Sequence, residues 1–118
     1  YIHSEAYAGG ELKHGSIALI EPGITVITSL TQRNLFEKMQ SNLKEVITRG
    51  AKVMAVTFED NIEIESYANM VIPIPNTMDI IAPILSVVPL QLLAYYVALY
   101  KGLDVDKPRN LAKSVTVE

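Results

Sequence analysis

Two β-branched runs flank one amphipathic stretch, and this arrangement constrains the fold more than any other feature of the chain. Ile24–Leu30 (ITVITSL) is apolar or β-branched nearly throughout, and Lys52–Phe58 (KVMAVTF) repeats the pattern. Between them, Asn34–Arg49 carries Leu35, Met39, Leu43, Val46 and Ile47 on one face at helical spacing, and Gly50 stands where a helix C-cap belongs. Met70–Ile74 (MVIPI) reads as a third strand, kept short by Pro73 and Pro75. A long apolar segment follows. The order strand, helix, strand, strand, helix predicts an α/β fold with a parallel sheet.

The apolar segment, Ile80–Tyr100, runs for 21 residues without a charge. That is long enough to span a bilayer, which takes about 20 apolar residues. Pro83, Ser86, Pro89, Gln91 and three tyrosines dilute it, and nothing else in the chain resembles a membrane protein. A helix apolar all round is expected in a core or at a subunit interface, so no membrane is expected as a partner. Ahead of the first strand, Tyr1–His14 reads as helix-rich although the Gly9–Gly10 pair weakens any helix there, and Ile17–Ile20 reads as a strand or a buried turn. Glu21-Pro22-Gly23 is a turn. Asp104–Glu118 has no clear period and reads as an irregular tail held by something else.

The 118 residues suffice for one small core, and 49% hydrophobic against 19% charged residues argues for packing rather than disorder. A net charge of -3 with no basic patch argues against nucleic acid as a partner. With no cysteine, disulfides and thiolate chemistry are excluded within the chain, and a reducing, cytoplasmic setting fits. The opening YIHSEAYAGG has no basic region and no long apolar run, so it does not read as a signal peptide. A start at Tyr1, in mid-pattern, reads as a piece of a longer chain.

Few residues offer chemistry. His14 sits in GELKHGS, beside Lys13 and between Gly10 and Gly15. An imidazole titrates near neutral pH and moves a proton either way, and the glycines let a substrate approach the backbone. The plainer reading is a surface histidine in a polar turn. His3 reads as structural. Lys107, Arg109 and Lys113 make the tail DKPRNLAKSVTVE cationic, suited to gripping a phosphate or to lying solvated. His3 with Glu5 makes two metal ligands and no site, so no metal is expected. No GxxxxGK[ST], GxGxxG or serine-rich phosphate loop is present.

Three features carry further information: EAYAGGELKHG (Glu5–Gly15), VPLQLLAYYVALYKGLDVDKPRNLAKSVTVE (Val88–Glu118), and the spacing between them. Together they resemble the isomerase region of the glucosamine-6-phosphate synthases, from the first residue to the last. One departure is Ser16, where that family usually has proline after the His-Gly pair.

The resemblance implies a three-layer, flavodoxin-like sugar isomerase (SIS) domain, truncated on its N-terminal side. Residues 1–103 would form part of the second SIS domain and residues 104–118 a C-terminal active-site tail. It implies that His14 opens the sugar ring, acting on the partner subunit's site in a homodimer. Lys113 would react with or activate the open-chain ketose carbonyl, and Ala112 would contact the sugar through its backbone. The ligands implied are fructose 6-phosphate and glucosamine 6-phosphate, with no cofactor. The family's proton-shuttling glutamate falls just upstream of Tyr1 and its phosphate loops in the first SIS domain. The segment alone is therefore expected to be inactive. The alternative is an SIS-type regulatory module that binds a sugar phosphate without catalysis.

Overall fold

The computed structural model describes residues 1–109. Three strands, β1 (Thr25–Leu30), β2 (Lys52–Phe58) and β3 (Met70–Ile74), form one sheet in the order β1-β2-β3, and both pairings are parallel. Thr25 faces Lys52 at one end of the first ladder, and Phe58 faces Ile74 at the end of the second. Asn69 extends the second ladder with its side chain: Val53 N–H donates to Asn69 Oδ1 at 2.7 Å, and Asn69 N–H donates to the Val53 carbonyl at 2.8 Å.

Alternation along β2 builds the two sides of the core. Val53 and Ala55 face helix α1 (Phe36–Thr48) and pack with Leu30, Leu43, Val46, Ala51 and Ile64. Val56 and Phe58 face the opposite way, toward helix α2 (Ala82–Tyr100), and pack with Ile74, Ala82, Leu85 and Leu90. The result is helix, sheet, helix: the three-layer parallel α/β arrangement expected.

Both helices stop by the same device. Gly50 N–H donates to the Ile47 carbonyl and Ala51 N–H to Val46, while Gly102 N–H donates to Leu99 and Leu103 N–H to Ala98. These are Schellman closures, and each needs a residue with positive φ at its turn. Gly50 has φ +88 and Gly102 φ +68. Pro83 falls in the first turn of α2, where a missing N–H costs nothing, whereas Pro89 lies inside the helix.

Two expectations fail in the N-terminal segment. Residues 1–8 contain no helix, and Tyr1–Ala8 are all exposed; only Leu12–His14 and Ser16–Leu19 form short 3-10 turns. A helix this short is marginal unless it buries an apolar face, and here no such face is covered. Ile17–Ile20 is neither strand nor buried, with Leu19 exposed. Instead, residues 9–22 touch α1 near its start and just past its end: Gly9 lies beneath Met39, and Pro22 lies against Gly50.

Helix α2 covers β2 and β3 with its first half only. By length and composition it is able to cross a bilayer, but in this fold Ala82 and Ser86 are buried against the sheet. Ile84, Val88, Leu92 and Tyr96, four residues apart, form an exposed stripe, joined by Tyr95 and Leu99. The same side of β1, where Ile27 points, is also bare.

Candidate functional site

His14 closes the turn Leu12–His14, which is tied down from within: Glu11 N–H donates to the Ala8 carbonyl at 2.8 Å and His14 N–H to Glu11 at 3.0 Å. Leu12 packs against the α1 side of the core, so the turn is anchored by one side chain while His14 stays exposed. Among the described residues its imidazole has no hydrogen-bond partner. The backbone is thus fixed and the ring is free to meet a group from outside the chain.

His3 and Glu5 do meet, with Nε2 3.1 Å from Oε1, and the Tyr7 hydroxyl donates to the other carboxylate oxygen. The Tyr7 hydrogen bond, then the one to His3, holds the Glu5 carboxyl below the usual carboxylate range. Among the described residues no group of three or more metal-ligating side chains assembles.

Lys113 and Ala112 lie outside the described residues. The part of the tail that is described, 104–109, is irregular as expected. Asp104 Oδ1 accepts from the N–H groups of Asp106 at 2.9 Å and Lys107 at 3.1 Å, which turns the chain just after α2. Arg109 then reaches Tyr1: its N–H donates to the Tyr1 hydroxyl at 2.5 Å, and its guanidinium lies 3.9 Å from the Tyr1 ring centroid. A cleft of about 350 Å³ opens beside this contact, between Tyr1, Ala94, Ala98 and Leu103–Val105.

A second polar cluster lies at the carboxyl ends of the strands, where ligands of open α/β sheets usually bind. Arg33, just after β1, donates from Nη1 to Asp79 Oδ1 at 2.7 Å and to the Thr77 carbonyl at 3.0 Å, and from Nη2 to Asn76 Oδ1 at 3.1 Å. Its guanidinium also lies 4.0 Å from the centroid of Phe58. Beside it, Asn61 donates to Thr57 Oγ1 at 2.8 Å and Thr57 donates to the Leu30 carbonyl at 3.0 Å. Arg33 therefore joins the segments that lead into α1 and α2, with its side chain still about half exposed. Neither this clamp nor the Tyr1–Arg109 contact was legible in the sequence, because each pair is far apart along the chain and neither follows a motif.

The SIS domain model matches residues 1–101. The glutamine–fructose-6-phosphate aminotransferase (isomerizing) of Clostridium perfringens strain 13 is 65% identical over 121 residues, covering 100% of this chain and 20% of the relative. Those of Clostridium tetani and Thermus thermophilus are 64% and 55% identical, again over the whole chain. The chain thus spans about a fifth of the length of these curated relatives. Among solved structures, the C-terminal domain of glucosamine-fructose-6-phosphate aminotransferase from Francisella tularensis superposes with a TM-score of 0.80 at 38% identity, over 92% of this chain and 31% of that one. The chain belongs to the SIS domain family and corresponds to a C-terminal isomerase-domain segment of the glutamine–fructose-6-phosphate aminotransferases.

Proposed function

We propose that this segment serves the isomerase half of an enzyme that converts fructose 6-phosphate and glutamine into glucosamine 6-phosphate. One observation carries the reading. The SIS match ends at residue 101, yet the aminotransferase relatives match all 118 residues. The tail is thus shared with these aminotransferases beyond the part common to SIS domains, which favours catalysis over a purely ligand-binding module. We place the division between domain and tail at residues 103 and 104, a reading supported by the closure of α2 at Gly102 just before it.

In this reading His14 opens the ring of fructose 6-phosphate. The ring oxygen takes a proton as the hydroxyl on the anomeric carbon loses one, and an imidazole near its pKa serves in either direction. The Lys113 amine then adds to the freed C2 carbonyl and loses water to form an imine, which eases proton transfer between C1 and C2. Ala112 contacts the sugar through its backbone. No cofactor and no metal take part.

A homodimer belongs to the same proposal: it gives the exposed His14 ring a neighbouring site to act on and the bare stripe of α2 a partner. A cytoplasmic location, with neither nucleic acid nor membrane as partner, completes it. The test is the full-length enzyme with His14→Ala. Formation of glucosamine 6-phosphate should fall by about 10²–10⁴, the usual cost of one acid/base group, while glutamine hydrolysis continues. Unchanged synthesis would return His14 to the role of a turn histidine.

A further inference from the structure

His14 stands between two apolar side chains that rest on the same part of the core. Leu12 before it and Ile20 after it are both half-buried against the cluster that includes Leu30, Leu43, Val46 and Val53. The two sides are held differently. Past Ile20 the backbone itself is tied to the fold: Gly23 N–H donates to the Gly50 carbonyl at 3.2 Å, and Lys52 N–H donates to Ile24 at 2.8 Å. Before His14 the backbone bonds are local, from Glu11 N–H to Ala8 and from His14 N–H to Glu11, so they shape the turn without placing it. Placement rests on side-chain packing. Within the turn Leu12–His14, Lys13 and His14 are exposed and Leu12 alone reaches the core, while Gly9 ahead of it lies so close to Met39 that a Cβ there would meet that side chain.

We propose that Leu12 is a positioning residue for ring opening: it seats the turn on the core and so fixes where the His14 imidazole stands. The proposal rests on the reading of His14 given above. Two residues of a 3-10 turn advance only about 4 Å, so a shift at Leu12 reaches the His14 backbone almost undiminished. Proton transfer to and from a sugar oxygen needs the imidazole at hydrogen-bond distance. A misplacement of about 1 Å is enough to cost about 10² in rate. Leu12 itself acts only through His14.

The seat and its consequence are measured separately, in the full-length aminotransferase carrying this segment. Hydrogen exchange reads the seat. Leu12→Ala should speed exchange of the His14 amide about tenfold, followed by mass spectrometry of short peptides across the turn. Leu12→Met keeps an apolar side chain of similar volume and should leave exchange nearly unaltered. Kinetics read the consequence. In Leu12→Ala, kcat for glucosamine 6-phosphate should fall about 10- to 100-fold with glutamine hydrolysis unchanged, and Leu12→Met should restore most of it. In a His14→Ala background, Leu12→Ala should cost nothing further, because the group it positions is gone. Leu12→Val trims the contact less and should give the same pattern at smaller size, so the test does not depend on how well Leu12→Ala folds. Unchanged exchange overturns the seat. Faster exchange with unchanged kcat overturns the positioning role, and so does a loss that recurs at full size without His14, which marks a structural effect. If His14→Ala alone leaves synthesis intact, the ring-opening reading fails and the positioning role with it, while exchange still decides the seat.

Discussion

Arg33 and Asp79, 46 residues apart, are joined by a charged hydrogen bond of 2.7 Å that ties the start of α1 to the start of α2 across the carboxyl edge of the sheet. An exposed ion pair alone contributes about 0–1 kcal/mol, and both side chains here are more than a third exposed. The guanidinium also donates to Thr77 and Asn76 and lies over Phe58, and the Arg33 backbone N–H donates to Asp79. Arg33→Ala should therefore cost about 1–2 kcal/mol, read as a lower urea midpoint at constant slope. Arg33→Lys should recover less than half of it, because an ammonium does not reproduce the fork.

The two helix-ending glycines should differ in their sensitivity. At Gly50 an added Cβ would stand 3.0 Å from Pro22 as well as requiring the left-handed backbone, whereas at Gly102 nothing lies within 4 Å. Gly102→Ala should cost about 1–2 kcal/mol from the backbone alone, and Gly50→Ala clearly more. Thermal melts of the two variants, compared directly, check the order.

The stripe Ile84, Val88, Leu92 and Tyr96 is a large apolar surface left without cover in the single chain. The segment should self-associate at micromolar concentration, and Leu92→Glu with Tyr96→Lys should weaken that association. Sedimentation that shows a monomer for the unaltered chain would contradict it.

Glu5 should titrate below the usual carboxylate range, chiefly through the Tyr7 hydroxyl and then through His3. Because the folded value is depressed, any stabilisation is present above the unfolded pKa and is lost as pH falls through the folded one. Tyr7→Phe should bring the value back toward normal, as followed by carboxyl NMR shifts across the acid range.

The strands and helices were legible because they rest on local patterns. Lys52–Phe58 and Met70–Ile74 match the expected strands end to end, and the helical spacing of Leu43 and Val46 marks the buried face of α1. The irregular path of Tyr1–Gly9 was not legible, since its contacts are distant in sequence: Met39 over Gly9, and Arg109 on Tyr1. His14 stood out by its glycine neighbours and lies exposed on an anchored turn, whereas the roles of Lys113 and Ala112 rest on resemblance alone. Arg33 carries no local signal in the sequence, because its partners Asn76, Thr77 and Asp79 adjoin it only after β1 and β3 pair in parallel with β2.

The most direct test of the proposed shared site mixes two full-length enzymes, one with His14→Ala and one with Lys113→Ala, each nearly inactive in synthesis alone. If His14 serves the partner's site and Lys113 its own, a mixed dimer holds one site with both lesions and one with neither. Synthesis of glucosamine 6-phosphate should then return in part, in proportion to the mixed dimers formed. No recovery, with subunit exchange demonstrated by mass spectrometry, would contradict the assignment.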